Sequence, residues 1–319
     1  MLPFRAVRPF GSSMLAAAAL LTCLAAPAAA QDANPNGGAI TVSGALDFTN
    51  AYMFRGIRQE SDGLIMQPYL DLGATLYKGE GSVKTFGLNV GTWNSLHASS
   101  PTGTDNPRNH KLWYESDFYT TLSFGLSGGV TAGMTYTAYT SPNGGFETVK
   151  ELAFKIAVDD SKQLGTFALK PYGLIASEMD THTGRFGAPD AQGNPVTGGQ
   201  ADGGAKAGVY VELGIAPTFA PPKARGTIAV PVKVGISMKN YYEKPTGGGD
   251  ATFGFGSVAG IYTHQLSMKP TKFGNWNVHF GVEYQRLGDS TKLFLNEAKD
   301  DGELKAYKFI YAGGLGFSY

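Results

Sequence analysis

"LIMQPYLDLGATLY", residues 64–77, puts Leu64, Met66, Leu70, Leu72, Ala74 and Leu76 on one side of an extended chain and Gln67, Tyr69, Asp71, Gly73 and Thr75 on the other. Side chains of a β-strand point alternately to opposite faces, so this run reads as a strand with one greasy and one wet face. The division recurs along the chain. Leu152, Phe154, Ile156 and Val158 oppose Glu151, Lys155 and Asp159. Val209, Val211, Leu213 and Ile215 oppose Tyr210 and Glu212, and the row from Ile228 to Met238 opposes Lys233, Ser237 and Lys239. Trp276, Val278, Phe280, Val282 and Tyr284 oppose Asn277, His279, Glu283 and Gln285. No stretch keeps a helical period, and none has the roughly 18 consecutive apolar residues of a spanning helix.

Such alternation also occurs in soluble β-sandwiches, whose strands are about 5 to 6 residues long. Here it persists for about 10 to 15 residues, the length that crosses a bilayer at a tilt. Charged residues recur deep inside the segments, which suits a wet lumen and would be costly in a dry sandwich core. The predicted fold class is therefore all-β, an antiparallel up-and-down transmembrane β-barrel.

About twelve segments can be counted, starting near residues 40, 64, 83, 112, 129, 148, 166, 206, 227, 251, 274 and 305, with ten or fourteen as alternatives. Connections alternate in length. "KGEGS", "SGG", "DDSKQLG", "PPKARG" and "MKPTKFGN" are short, whereas residues 95–111, 179–204 and 287–304 form long ones. Short periplasmic turns, long extracellular loops and an even strand count are the pattern of bacterial outer-membrane barrels. The last segment, "AYKFIYAGGLGFSY", carries Tyr307, Phe309, Tyr311, Leu315, Phe317 and Tyr319 on one face. An aromatic end of this kind resembles the signal read by the barrel-assembly machinery.

Residues 1–30 have a basic start at Arg5 and Arg8, an apolar run from Met14 to Ala26 and alanines before Gln31. They read as a signal peptide that is removed, followed by a short periplasmic segment, 31–39, and a single barrel domain, 40–319. Two alternatives are a transmembrane anchor, for which the apolar run falls short of about 20 residues, and a lipoprotein reading of "LLTC", weakened by Thr22 before Cys23. The first thirty residues hold two of the 26 basic residues and no acid, so the exported chain has 24 basic against 26 acidic residues. That balance gives no reason to expect nucleic acid as a partner. Without Cys23 no cysteine remains, and 44 glycines with 12 % aromatic residues suit many strands and turns.

"TNAYMFRGIRQ", residues 49–59, sets Arg55 in the path of the first alternating segment. If that strand runs from Ile40 to about Ile57, Ile40, Val42, Gly44, Leu46, Phe48, Asn50, Tyr52 and Phe54 face outward. Tyr52 and Phe54 then belong to the outer aromatic girdle, and Arg55 faces water in the lumen, because an arginine at mid-bilayer on the lipid side costs about 2–4 kcal/mol. With "QPYLDLGATLY" and "GLNVGTWNS", this stretch resembles the TorF family of porin-like proteins through Tyr52, Phe54, Arg55, Gly56 and Gln59, over residues 41–95; Arg58 departs from the pattern. The resemblance implies an outer-membrane porin-like barrel and no particular solute.

Strand parity assigns to the lumen Asp47, Arg55, Asp71, Glu115, Asp117, Glu151, Lys155, Glu212, Lys233 and Glu283, together with Asp159, Lys170, Lys239, His279 and Lys308. Mixed charges along a pore can orient polar solutes; alternatively they pair with one another and fill a narrow barrel. The expected function is passive diffusion of small polar or weakly charged solutes, in contact with outer-membrane lipid and lipopolysaccharide, with no cofactor and no metal. The five histidines have no ligand spacing. Two alternatives remain. One is a scaffold or adhesin displaying its loops, residues 179–204 above all. The other is a lipid hydrolase using His97 and Ser99, for which no third residue is evident.

Overall fold

The computed structural model describes residues 38–61, 63–98, 112–146, 148–179, 206–221, 226–244, 249–266 and 274–319. The expected signal peptide, Cys23, Ser99 and the loop 180–204 lie outside them. Alternating segments become strands: β1 (Ile40–Thr49), β2 (Tyr52–Phe54), β3 (Ile57–Glu60), β4 (Ile65–Lys78), β5 (Val83–His97), β6 (Trp113–Leu126), β7 (Val130–Thr140) and β8 (Val149–Val158). They continue as β9 (Tyr172–Glu178), β10 (Val209–Ile215), β11 (Thr218–Phe219), β12 (Gly226–Ala229), β13 (Val232–Lys239), β14 (Phe253–Leu266), β15 (Asn275–Leu287) and β16 (Tyr307–Ser318).

All of these except β2 and β3 belong to one antiparallel sheet, in which β1 pairs with β4 on one side and with β16 on the other. Pairing of β14 with β15 closes the ring. Two of its walls are interrupted by prolines, which have no N–H to donate. Val230 N donates to Pro217 O at 2.9 Å and Ala259 N to Pro231 O at 3.0 Å, so the wall carries on through both breaks. Thus β10 with β11, and β12 with β13, each count as one strand, and the barrel has twelve. Val42 and Tyr319 exchange backbone hydrogen bonds of 2.7 Å, so the first strand and the last residue meet at the short-turn rim.

Burial follows the alternation. Asp71 is 3 % exposed and its neighbour Leu72 44 %, and the same contrast separates Asp117 from Phe118 and Glu283 from Val282. The outward row is the greasy one; a closed barrel lets lipid cover it because every interior strand edge is paired. On the long-loop side Tyr284, Tyr307 and Phe309 cluster outward, Tyr284 and Phe309 with ring centroids 5.2 Å apart. Among the described residues no helix is long and apolar enough to cross a membrane.

Three expectations about elements are corrected. The first strand ends at Thr49 rather than near Ile57. The seventh barrel strand starts at Tyr172, not near 166, because Asp160 accepts hydrogen bonds from the Leu169 and Lys170 N–H groups and folds the chain around a short helix, α1 (Ser161–Leu164). The connection 287–304, expected as a loop, contains α2 (Asp289–Leu295), with Ser290, Thr291 and Leu295 buried. Ser290 donates to Glu243 O at 2.6 Å and Thr291 to Gly254 O, so this helix is tied to the start of β14 and packs over β3.

Candidate functional site

Beyond Thr49 the chain leaves the wall and turns into the lumen as the β2–β3 hairpin, with Phe54 opposite Ile57 and Arg55-Gly56 as the two-residue turn. Both turn residues have positive φ, 50° and 79°, the pattern of a tight hairpin turn whose twist matches its strands. Gly56 is required there: a Cβ would meet Phe255 Cβ at 2.8 Å. Arg55 is therefore at the tip of an inserted hairpin and only 2 % exposed, in place of the expected water-facing rung of β1. Tyr52 and Phe54 are buried in the lumen and do not join an outer girdle. Sequence alternation alone cannot distinguish a strand that continues in the wall from one that bends inward.

The hairpin reaches both sides of the barrel. Tyr52 and Phe54 pack with Trp93, Tyr114, Tyr139, Phe146 and Val149 from the β5–β8 side. Met53 and Ile57 join Leu174, Phe255, Ile261, Leu295 and Ile310 from the other. Polar contacts fix its position. Arg55 Nη1 and Nη2 donate to the two Glu151 oxygens at 2.6 and 2.8 Å, a bidentate pair, and Tyr139 donates to Glu151 at 3.0 Å. The guanidinium lies 4.2 Å from the Tyr210 ring centroid, and its Nη1 donates to Tyr241 at 3.0 Å. Tyr242 donates to Arg55 O at 2.8 Å. Tyr52 donates to Glu115 at 2.9 Å, and Tyr114 donates to Gln59 at 2.8 Å. A buried charge is tolerated only with this kind of pairing.

The charged residues assigned to the interior from sequence fall into distinct places. Arg55, Glu151 and Glu115 hold the hairpin, and buried Asp117 lies on the inward row of β6 beside them. Asp71 accepts from Asn89 at 2.7 Å and Tyr119 at 3.1 Å. Asp47 meets His279 Nε2 at 2.7 Å across Gly314, where any Cβ would collide with Asp47. Buried Glu283 accepts from Gln285 at 3.2 Å. On β8, β10 and β13, half-buried Lys155, Glu212 and Lys233 form one group: Glu212 accepts from Tyr172 at 2.8 Å and Tyr210 at 2.6 Å, while Lys155 Nζ lies 4.5 Å from the Tyr172 ring centroid. Two assignments are corrected: Asp159 and Lys170 belong to the β8–β9 connection; Lys239 is exposed at the end of β13. Lys308 is drawn to the α2 connection by Glu297 at 2.5 Å.

Sequence reasoning missed the tyrosines that grip the hairpin, Tyr139, Tyr210, Tyr241 and Tyr242. Tyr210 stood on the polar row of its strand, and that parity was the available signal. Of the His97–Ser99 pair, only His97 is among the described residues. His97 is fully buried, stacked on Tyr114 with ring centroids 4.5 Å apart, and its Nε2 shares a 2.9 Å hydrogen bond with Ser95. Its Nδ1 lies 3.8 Å from Glu60 at the base of the hairpin. Among the described residues no group of histidine, cysteine and carboxylate side chains could hold a metal ion.

No family model matches the chain, and no curated protein does. Solved structures that match include the NanC porin, at 11 % identity over 88 % of this chain and 99 % of that one, with a TM-score of 0.36. The COG4313 outer membrane channel from Pseudomonas putida F1 matches at 11 % identity over 88 % and 94 %, TM-score 0.44. Salmonella typhi OmpF, in complex with daunomycin, matches at 8 % identity over 91 % and 100 %, TM-score 0.38. The chain itself folds as a closed antiparallel β-barrel of twelve strands.

Proposed function

We propose that the chain is an outer-membrane diffusion channel for small polar or weakly charged solutes, with the β2–β3 hairpin as its constriction. The observation that supports this reading best is the uneven filling of the lumen. Around the hairpin the inward side chains Glu151, Ala153, Leu174 and Ala176 are buried, whereas Lys155, Tyr172, Glu212 and Lys233, nearer the short-turn rim, are half-buried. A barrel whose interior served only as a packed core would have no use for charged groups at the margin of an accessible space. The hairpin has no ladder of backbone hydrogen bonds to the wall, since β2 and β3 pair only with each other. Side chains hold it, so it can shift without opening the barrel.

The resemblance of residues 41–95 to the TorF family supports the same assignment. Export by a cleaved signal peptide, assembly through the strand ending at Tyr319, and contact with lipid and lipopolysaccharide belong to this proposal. Uptake by proteoliposomes tests it. Glycerol and similarly small polyols should enter faster than into protein-free vesicles, and an Arg55→Ala/Glu151→Ala double variant should admit them faster still. No uptake by either protein would contradict the channel.

A further inference from the structure

We infer that Arg286, on the outward face of the barrel at its long-loop rim, binds a phosphate of lipopolysaccharide, with Tyr284 and Tyr307 set against the glucosamine that carries that phosphate. This deepens the lipopolysaccharide contact proposed above, and it rests on the outer-membrane reading and not on conduction. Register fixes the direction of the guanidinium. Arg286 pairs with Tyr307 on β16 and with Gly256 on β14, and directly paired residues share a face of the sheet. Tyr307 belongs with Tyr284 and Phe309 to the outward ring cluster, so the exposed Arg286 is outward too. It is the last residue but one of β15 (Asn275–Leu287), just before the long connection through α2. Below it the outward row of β15, Tyr284, Val282, Phe280 and Val278, carries no charge. An arginine on the lipid side is cheapest at such a rim, because its cost falls toward the interface.

Among the described residues Arg286 has no hydrogen bond, ion pair or ring contact. The nearby carboxylates are taken by lysines: Asp289 by Lys292, Glu303 by Lys299, and Glu297 by both Lys305 and Lys308. Asp300 and Asp301 are exposed in the turn beyond the Ala298–Leu304 bridge, at the far end of the connection. The guanidinium is also open on one flank. Gly256 puts no side chain opposite it, and where a Cβ would stand there the closest atoms, from Phe253 and from Lys233 O, are 3.8 and 3.9 Å away. On the other flank the Tyr284 and Tyr307 rings are 6.3 Å apart and 24° from parallel, and neither hydroxyl has a partner among the described residues. One cation and two hydroxyls are thus gathered on a face that otherwise offers hydrocarbon contacts.

The chemistry of the outer leaflet matches this set. Long loops mark the extracellular side of bacterial outer-membrane barrels, and that leaflet presents lipopolysaccharide, whose glucosamine units carry phosphates. A guanidinium grips a phosphate with two parallel N–H donors, which a lysine cannot do. Tyrosine rings settle at headgroup level, where their faces cover apolar surface and their hydroxyls reach polar groups. A phospholipid would supply the phosphate alone. The two tyrosines beside Arg286 favour a phosphate borne on a sugar.

Native mass spectrometry of the detergent-solubilised barrel tests this, with purified deep-rough lipopolysaccharide titrated against the wild type, Arg286→Gln and Arg286→Lys. Heat-modifiable migration on gels confirms that each barrel is folded. The first lipopolysaccharide molecule should bind Arg286→Gln about tenfold more weakly than the wild type, the order expected for losing a charge-assisted contact, with Arg286→Lys in between. Phosphatidylglycerol, which has the phosphate without the sugar, should bind the wild type more weakly than lipopolysaccharide does. Equal first-molecule affinity in the wild type and Arg286→Gln would overturn the site, and phosphatidylglycerol binding as tightly as lipopolysaccharide would overturn its assignment to the glycolipid. Glycerol uptake by proteoliposomes reports the channel separately. It should be the same for Arg286→Gln and the wild type, and its absence from both would sink the channel reading while leaving the lipid site standing.

Discussion

Arg55 and Glu151 lie 96 positions apart in the chain and form a bidentate ion pair at 2.6 and 2.8 Å inside the barrel. One comes from the tip of the hairpin and the other from the wall, so this pair joins the inserted element to its housing. Removing one partner leaves the other charged in a dry site, at about 3–5 kcal/mol. Glu151→Gln should lower the stability of the folded barrel by that order in urea titrations in detergent. The double variant Arg55→Met/Glu151→Leu should recover much of the loss, because it strands no charge.

Gly56 tests the turn without touching a charge. Its φ of 79° and its closeness to Phe255 exclude a side chain. Gly56→Ala should destabilise the hairpin by about 1–3 kcal/mol. Trypsin reports the result: cleavage after Arg55 and Arg58, both in the hairpin, should become faster while the strands of the wall stay intact.

Leu72 and Ser123 test which face meets lipid. Leu72 is on the exposed outward row of β4 and Ser123 on the inward row of β6. Leu72→Arg should cost about 2–4 kcal/mol in folding into vesicles, whereas Ser123→Arg should cost much less and alter ion preference. Equal costs would contradict the assignment of the faces.

Acid should loosen the α2 connection. Glu297 is partly buried, which on its own would raise its pKa, but hydrogen bonding and attraction from Lys308, with Lys305 also near, hold it below the ordinary carboxylate range. A depressed carboxylate contributes stability that is full above its unfolded pKa, about 4.3, and is lost as pH falls through the lower folded value. Hydrogen exchange in residues 288–306 should therefore quicken as pH drops below about 4, once corrected for the intrinsic pH dependence of exchange, and Glu297→Gln should show fast exchange already at neutral pH.

Much of the wall was legible because period-two alternation records the outward and inward rows of a barrel directly: the outward rows of β1, β4 and β16 are those expected from Val42, Leu72 and Tyr307. The interior was less legible. Residues 50–60 alternate just as a wall strand does, and the difference lies in Arg55-Gly56, which demands positive φ at two successive positions. Arginine-glycine is not among the strong turn pairs such as Asn-Gly, so the bend carried little local signal. Parity put Glu115, Glu151, Lys155, Glu212 and Lys233 on the rows opposite the greasy ones, but it could not say that Arg55 would come to Glu151 from a hairpin or that tyrosines from distant strands would share these groups. Helix α2 was hidden for another reason: seven residues show too little periodicity to stand out from a polar loop.

Single-channel recording in planar bilayers tests the central claim most directly, by comparing the wild type with a variant in which residues 51–62 are replaced by a short glycine-serine turn. If the hairpin is the constriction of a porin-type lumen, the wild type should give small or infrequent steps and the shortened protein larger, sustained ones, severalfold higher at the same salt. Matching conductance traces from the two proteins, with both correctly folded, would contradict it.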